Sequence, residues 1–303
     1  MSEAAAPPRC GFVALLGAPN AGKSTLLNSL VGTKVSIVTP KVQTTRARLR
    51  AIAIAGASQI VFVDTPGIFR PKRRLERAMV AAAWSGVEDA DLLVLVVDAT
   101  VKQPDSDTAR IIEGLKAQGR RSILALNKID AIKRDKLLAL AARFQAEGIF
   151  EDTFMISALT GDGVADLLRH LAAALPEGPW LYPEDQLSDL PERLLAAEVT
   201  REKLFLDLHQ ELPYALTVET ESWEERKDGG LRLEQTIYVQ RDSQKAIVLG
   251  KGGRTIKAVR EAAQAELAET WGRPVHLFLF VKVRSGWLED PARYRPWGLD
   301  FEA

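Results

Sequence analysis

The chain has 303 residues, room for two domains of ordinary size, and its 47% hydrophobic and 26% charged side chains are the balance of a globular protein. Its 40 Lys and Arg are matched by 40 Asp and Glu, so no global field draws it to a polyanion and any such binding needs a local patch. A single cysteine, Cys10, suits a reducing compartment; residues 1–9 lack signal-peptide features and the longest apolar strand, 92–97, falls far short of a bilayer, so a cytoplasmic location is expected; the chain is also expected to be a monomer.

From residue 11 to 175 short apolar runs alternate with helical patterns, which predicts an α/β domain with a mostly parallel sheet and helices on both faces. Strands are expected at 11–16, 49–54, 59–63, 92–97, 123–126 and 153–156, and helices at 23–31, 75–87, 107–117, 133–146 and 164–174. After the first strand, Gly17-Ala18-Pro19-Asn20-Ala21-Gly22-Lys23-Ser24 fits G-x-x-x-x-G-K-[ST], the P-loop pattern. Backbone N–H groups from Gly17 through Asn20, Ala21 and Gly22 to Thr25 can close around phosphate oxygens, backed by the dipole of the following helix. Lys23 is expected to reach the β- and γ-phosphates, and the Ser24 hydroxyl to hold magnesium.

Asp64-Thr65-Pro66-Gly67 closes the third strand. Its carboxylate can serve magnesium, and the Gly67 N–H can sense the γ-phosphate. Asn127-Lys128-Ile129-Asp130 closes the fifth. A carboxylate there accepts from guanine N1–H and the exocyclic amine together, a donor pair adenine lacks, so the spacing selects GTP. Ser157-Ala158-Leu159 completes the base pocket. Every one of these groups follows the carboxyl end of a strand, where open α/β sheets bind ligands.

This ordered set resembles the translation-factor-related GTPases. The resemblance implies a switch I segment, here Thr39-Pro40-Lys41-Val42-Gln43-Thr44-Thr45-Arg46, carrying a magnesium-ligating threonine. Thr44 and Thr45 are both candidates, and Thr45 is preferred because a Thr-Arg pair occupies that place in related GTPases. Lys23, Thr45, Asp64 and Gly67 are thus the residues expected to serve hydrolysis. Where many GTPases place a water-orienting glutamine, this chain has Ile68 and then Phe69, which predicts slow intrinsic turnover. Asn20 matches the asparagine with which such GTPases hold potassium, which adds K+ as a candidate cofactor beside GTP/GDP and Mg2+.

Pro176, Pro179, Pro183 and Pro191 then mark a semi-rigid linker, 176–190, in which Trp180 and Tyr182 can dock on a domain. Beyond it a helix is expected at 192–210, strands at 215–223 and 231–239, a helix at 255–270 and a final strand at 275–283. Gly250-Lys251-Gly252-Gly253 forms a G-x-x-G turn between the last two helices of an α-β-β-α-α-β order. That arrangement resembles a KH domain, whose loop clamps about four nucleotides of backbone. Residues 241–260 hold six basic side chains against Asp242 alone, the local patch that the neutral chain otherwise lacks. Lys245, Ile247, Val248, Gly250, Lys251, Gly252, Gly253, Arg254 and Lys257 are the expected RNA contacts. His170, His209 and His276 have no spacing suited to a metal.

The expected organisation is therefore a tail at 1–10, a P-loop GTPase domain at 11–175, a linker, a smaller α+β KH-type domain at 191–285 and a tail at 286–303. Stretches such as Tyr182-Pro183-Glu184-Asp185-Gln186-Leu187, Arg201-Glu202-Lys203-Leu204 and Glu211-Leu212-Pro213-Tyr214 extend the likeness over nearly the whole chain. It resembles the KH-bearing ribosome-assembly GTPases of bacteria. This resemblance implies binding to the 3′ end of 16S rRNA, a role in 30S subunit assembly, and peripheral association with the inner membrane. The alternative expectation is a regulatory GTPase whose KH-like domain docks a protein or membrane partner.

Overall fold

The computed structural model describes residues 7–42, 44–46, 48–102, 104–209 and 212–303; Gln43, Gln210 and Glu211, named above, lie outside them. The chain divides into two compact units. One comprises Met1–Ser36, Thr45–Asp189 and Tyr294–Ala303, the other Ile37–Thr44 and Leu190–Arg293.

In the first unit the strands β1 (Arg9–Leu16), β2 (Leu49–Ala55), β3 (Ser58–Asp64), β4 (Leu92–Asp98), β5 (Ser122–Asn127) and β6 (Phe150–Met155) form one sheet in the order β2-β3-β1-β4-β5-β6. Five strands run parallel. The exception is β2, antiparallel to β3 because only Gly56 and Ala57 connect them, too short a link for a crossover. The sheet is covered by α1 (Lys23–Val31), α2 (Arg74–Glu88), α3 (Ser106–Ala117), α4 (Arg134–Gln145) and α5 (Val164–Ala174). Every residue of β3 is buried, as a strand covered on both faces requires.

In this unit the largest departure from the expected bounds is at the last strand. The apolar run predicts the last strand at 153–156, whereas it spans Phe150–Met155, because Glu151 and Asp152 are exposed on an edge strand and mask its apolar pattern. The proline-rich segment docks on the opposite edge: the Ile52 N–H donates to Leu187 O (2.9 Å), the Asp189 N–H to Arg50 O (3.0 Å) and the Trp180 indole to Ala57 O (3.0 Å). Strand β2 is thereby covered rather than left as a bare edge.

Residues Tyr294–Ala303 also belong to this unit. Tyr294 and Leu299 are buried against Ala78 and Met79 of α2, with Leu75, Ala82, Trp297 and Phe301 around them.

The second unit is α6 (Glu192–Asp207), β7 (Thr217–Glu225), β8 (Leu231–Val239), α7 (Asp242–Leu249), α8 (Arg254–Trp271) and β9 (Val275–Val283), the predicted order. Its sheet is β7-β8-β9, with β7 antiparallel and β9 parallel to β8. Leu204, Val218, Ile237, Val248 and Val259 join helices to sheet in its core. Segment Ile37–Thr44 lies on α6: the Val38 N–H donates to Glu202 (2.8 Å), Lys41 Nζ to the carbonyls of Phe205 and Leu208, and Arg201 to Thr44 O. No described helix is long and apolar enough to cross a membrane.

Candidate functional site

The loop between β1 and α1 holds the residues expected to bind phosphate. Gly22 opens α1 at φ 96°, and a Cβ there would stand 2.2 Å from Asn127 Nδ2, so only glycine fits. Asn127 donates through Nδ2 to Ala21 O (2.8 Å) and accepts at Oδ1 from the Ala158 N–H (2.9 Å). One buried amide thus braces the phosphate loop, the β5 terminus and the Ser157-Ala158-Leu159 turn together. Lys23 is buried, with Nζ donating to Gly17 O (3.0 Å) and Ala18 O (3.1 Å). Burial lowers its pKa to about 8 against the opposing pull of Asp64.

Asp64 is wholly buried at the end of β3. Its Oδ2 accepts from Ser24 Oγ (2.9 Å) and Ser36 Oγ (3.1 Å), while its Oδ1 has no hydrogen-bond partner. Burial pushes the carboxyl upward, although Lys23 and the hydroxyls of Ser24, Ser36 and Thr45 oppose the shift. Ser24 Oγ lies 2.9 Å from Thr45 Oγ1. Thr44 instead turns into its own loop, bonding Lys41 O (2.8 Å) and Thr39 Oγ1 (2.6 Å). Ser24, Thr45 and Asp64 therefore bring hard oxygens together, one of them a buried carboxylate oxygen without a hydrogen-bond partner, a donor set that fits magnesium. Among the described residues no cluster of three or more His, Cys, Asp or Glu could hold a metal, so such an ion would rest on these groups and on phosphate oxygens.

Gly67 closes against the phosphate loop: a Cβ there would stand 3.0 Å from Pro19 N, and the Ile68 N–H donates to Gly17 O (3.2 Å). The Ile68 side chain points the other way, into the core with Ala83 and Val87 of α2. Asn20 adopts φ 62°, a left-handed conformation that asparagine tolerates, and Thr25 is half-buried on α1.

At the base end, Asp130 is exposed and accepts from Ser157 Oγ (2.6 Å), and Leu159 is exposed beside that turn. Lys128 is held at φ 66° with Nζ 2.6 Å from Asp98 Oδ2. Burial raises the Asp98 pKa, but hydrogen bonds from Lys128 and Thr100 outweigh it and leave the carboxyl below its ordinary value. Neither Asp98 nor Ser36 is singled out by a sequence motif. The signal available for Asp98 is its place at the carboxyl end of an apolar strand; Ser36, in a loop, offers none.

In the second unit the G-x-x-G turn joins α7 to α8. Gly250 (φ 72°) could not carry a Cβ, which would meet Thr255 Oγ1 at 2.3 Å, whereas at Gly252 nothing lies within 4 Å. Lys251, Gly252, Arg254 and Lys257 are exposed, Gly253 and Lys245 half-buried, and Ile247 is 57% exposed. Val248 is the exception. Helical periodicity turns its side chain into the core, so it can offer a ligand only backbone groups.

Residues 12–128 match the 50S ribosome-binding GTPase family and residues 211–288 the KH domain family. The chain is 63% identical to GTPase Era of Rhizobium meliloti, over 98% of this chain and 95% of that one. With GTPase Era of Dinoroseobacter shibae it shares 61% identity over 99% and 98%. Among solved structures it is similar to Era in complex with MgGDPNP and nucleotides 1506–1542 of 16S ribosomal RNA, at 37% identity and a TM-score of 0.91, covering 96% of this chain and 99% of that one. It is also similar to a point variant of Aquifex aeolicus Era bound to GDP and AlF4−, at 38% identity and a TM-score of 0.90 over the same shares.

Proposed function

The chain belongs to the GTPase Era family, and from that premise we propose that it is a GTP-hydrolysing switch that binds the 3′ end of 16S rRNA and acts in assembly of the 30S subunit. The observation that carries the reading is the coexistence of two built sites, the oxygen cluster Ser24-Thr45-Asp64 beside a closed phosphate loop and an open G-x-x-G turn. One domain family is named for the large subunit, yet the solved relative carries RNA of the small one. Similarity over nearly the whole chain favours the latter.

Lys23 lies where it can meet the β- and γ-phosphates, and backbone N–H groups of the loop surround them. Magnesium, when bound, would supply charge neutralisation at the phosphates. Ser24, Thr45 and Asp64 would hold it, Thr45 being the switch I ligand rather than Thr44. Asp130 reads guanine while Lys128, oriented by Asp98, flanks it. With Ile68 turned into the core, no glutamine side chain aligns the attacking water. The Gly67 backbone would supply that help, and Asn20 is the residue that would hold a potassium ion beside it. Exposed Lys251, Arg254 and Lys257 take RNA phosphates beside Ile247, and the nucleotide state governs access to that loop. The chain works in the cytoplasm as a monomer.

Binding of a short single-stranded RNA copied from the 16S 3′ end, with a GTP analogue and with GDP, tests the reading. Tight binding with the analogue, weaker binding with GDP and loss in Gly252→Asp are expected. RNA affinity that ignores nucleotide state would sink the switch, and an absence of RNA binding in every state would point instead to a protein partner.

A further inference from the structure

Helix α2 follows the Asp64–Gly67 motif, and in the function proposed above it is the switch II helix. It has two apolar faces. One, through Ala83 and Val87, joins the core beside Ile68. The other, Leu75, Ala78, Met79 and Ala82, is covered by Tyr294–Ala303. The cover is dense: Tyr294 is 2% exposed, and its ring meets Phe301 edge-on at 5.0 Å. Phe301 in turn lies under the Arg74 guanidinium, 4.3 Å from ring centroid to Cζ, and its carbonyl accepts from Arg74 Nη1 (3.4 Å).

Arg74 is the first residue of α2. The same turn is fixed by Glu76, which accepts from the N–H groups of Lys72 (2.6 Å) and Arg73 (3.1 Å). The aromatic segment thus grips the end of α2 that leads back to Gly67, rather than its far end. Immediately before it, Arg293 is anchored in the other unit by ion pairs to Glu219 and Asp290 and by stacking 4.6 Å over Tyr238. Consecutive residues, Arg293 and Tyr294, are therefore fixed in different units.

We propose that Tyr294 and Phe301 are positioning residues for GTP hydrolysis: they hold the first turn of α2, and through it Gly67, in the arrangement the γ-phosphate meets. The proposal rests on the assignment of α2 as the switch II helix. Catalysis without a glutamine depends on backbone placement, so loosening that turn slows the chemical step while leaving GDP, which lacks the γ-phosphate, bound as before.

The test compares the full chain with Phe301→Ala, Tyr294→Ala and Tyr294→Phe. It measures single-turnover GTP hydrolysis, GDP affinity and amide hydrogen exchange in Arg74–Glu88. Expected for the two alanine variants are hydrolysis slower by about tenfold, GDP affinity within about twofold of the parent and faster exchange in α2, with Tyr294→Phe close to the parent. Unchanged hydrolysis in Phe301→Ala, whatever its melting temperature, would overturn the proposal. Should Tyr294→Ala lose GDP binding through misfolding, the partly exposed Phe301 still decides. A parent chain without GTPase activity would refute the function proposed above; exchange in α2 unaltered by Phe301→Ala would refute the grip itself.

Discussion

Ile68 occupies the place of the water-orienting glutamine, and its side chain is fully shielded in the core between the sheet and α2. Glutamine there would bury a carboxamide among aliphatic neighbours, at a cost of about 2–4 kcal/mol. Ile68→Gln is therefore expected to melt earlier and to hydrolyse GTP no faster; a higher single-turnover rate would show that the side chain can swing into the site. The catalytic help assigned to Asn20 is tested by turnover in potassium against sodium, where the parent should be faster in potassium and Asn20→Ala indifferent to the cation. Asp98 supports a pH prediction. Its carboxyl lies below the ordinary range in the folded chain, so it contributes stability above that range and loses it as pH falls through the depressed value. Asp98→Asn should flatten the acid limb of a melting-temperature profile and weaken GDP binding by releasing Lys128; an unaltered limb would remove Asp98 from that role. The motif residues are legible in the sequence because phosphate and base recognition fix residue types at short spacings. Ser36 and Asp98 are not, since each acts through a partner about 30 residues away in sequence, Asp64 and Lys128 respectively.

Elements built around one period are readable to within a residue or two. Helices α1 and α5 and strands β8 and β9 match their expected bounds, because apolar spacing and a flanking glycine or proline agree there. Strand β6 is displaced since charged residues face water on a sheet edge. The G-x-x-G turn separates space from strain. Gly252→Asp meets no neighbour but places a side chain at φ 62°, so it should lower stability only slightly, by about 1 kcal/mol, while abolishing RNA binding, whereas Gly250→Ala at φ 72° also drives a Cβ onto Thr255 and should lower stability by about 2–3 kcal/mol. Thermal melts beside RNA titrations distinguish the two. Salt offers a second check. Were all five net positive charges of residues 241–260 to meet phosphates, log affinity would fall against log salt with a slope near −3.5 at roughly −0.7 per contact. A flat salt response would favour apolar docking of a protein.

Neither unit is one continuous stretch of the sequence. The path of the chain leaves the first unit at Ser36, returns at Thr45, leaves again at Asp189 and returns at Tyr294. Composition shifts along the sequence reveal the proline-rich boundary but not these crossings, because Ile37–Thr44 and Tyr294–Ala303 are short and their partners on α6 and α2 are set only by the fold.

That path has a consequence for synthesis. The Leu75–Met79 face of α2 leaves the ribosome roughly 200 residues ahead of Tyr294, a delay of about 10–40 s at bacterial elongation rates. Throughout that interval the nascent chain carries an uncovered apolar helix face. The nucleotide-binding unit matures in two stages, an early core and a late closure, and a chaperone has its opening between them.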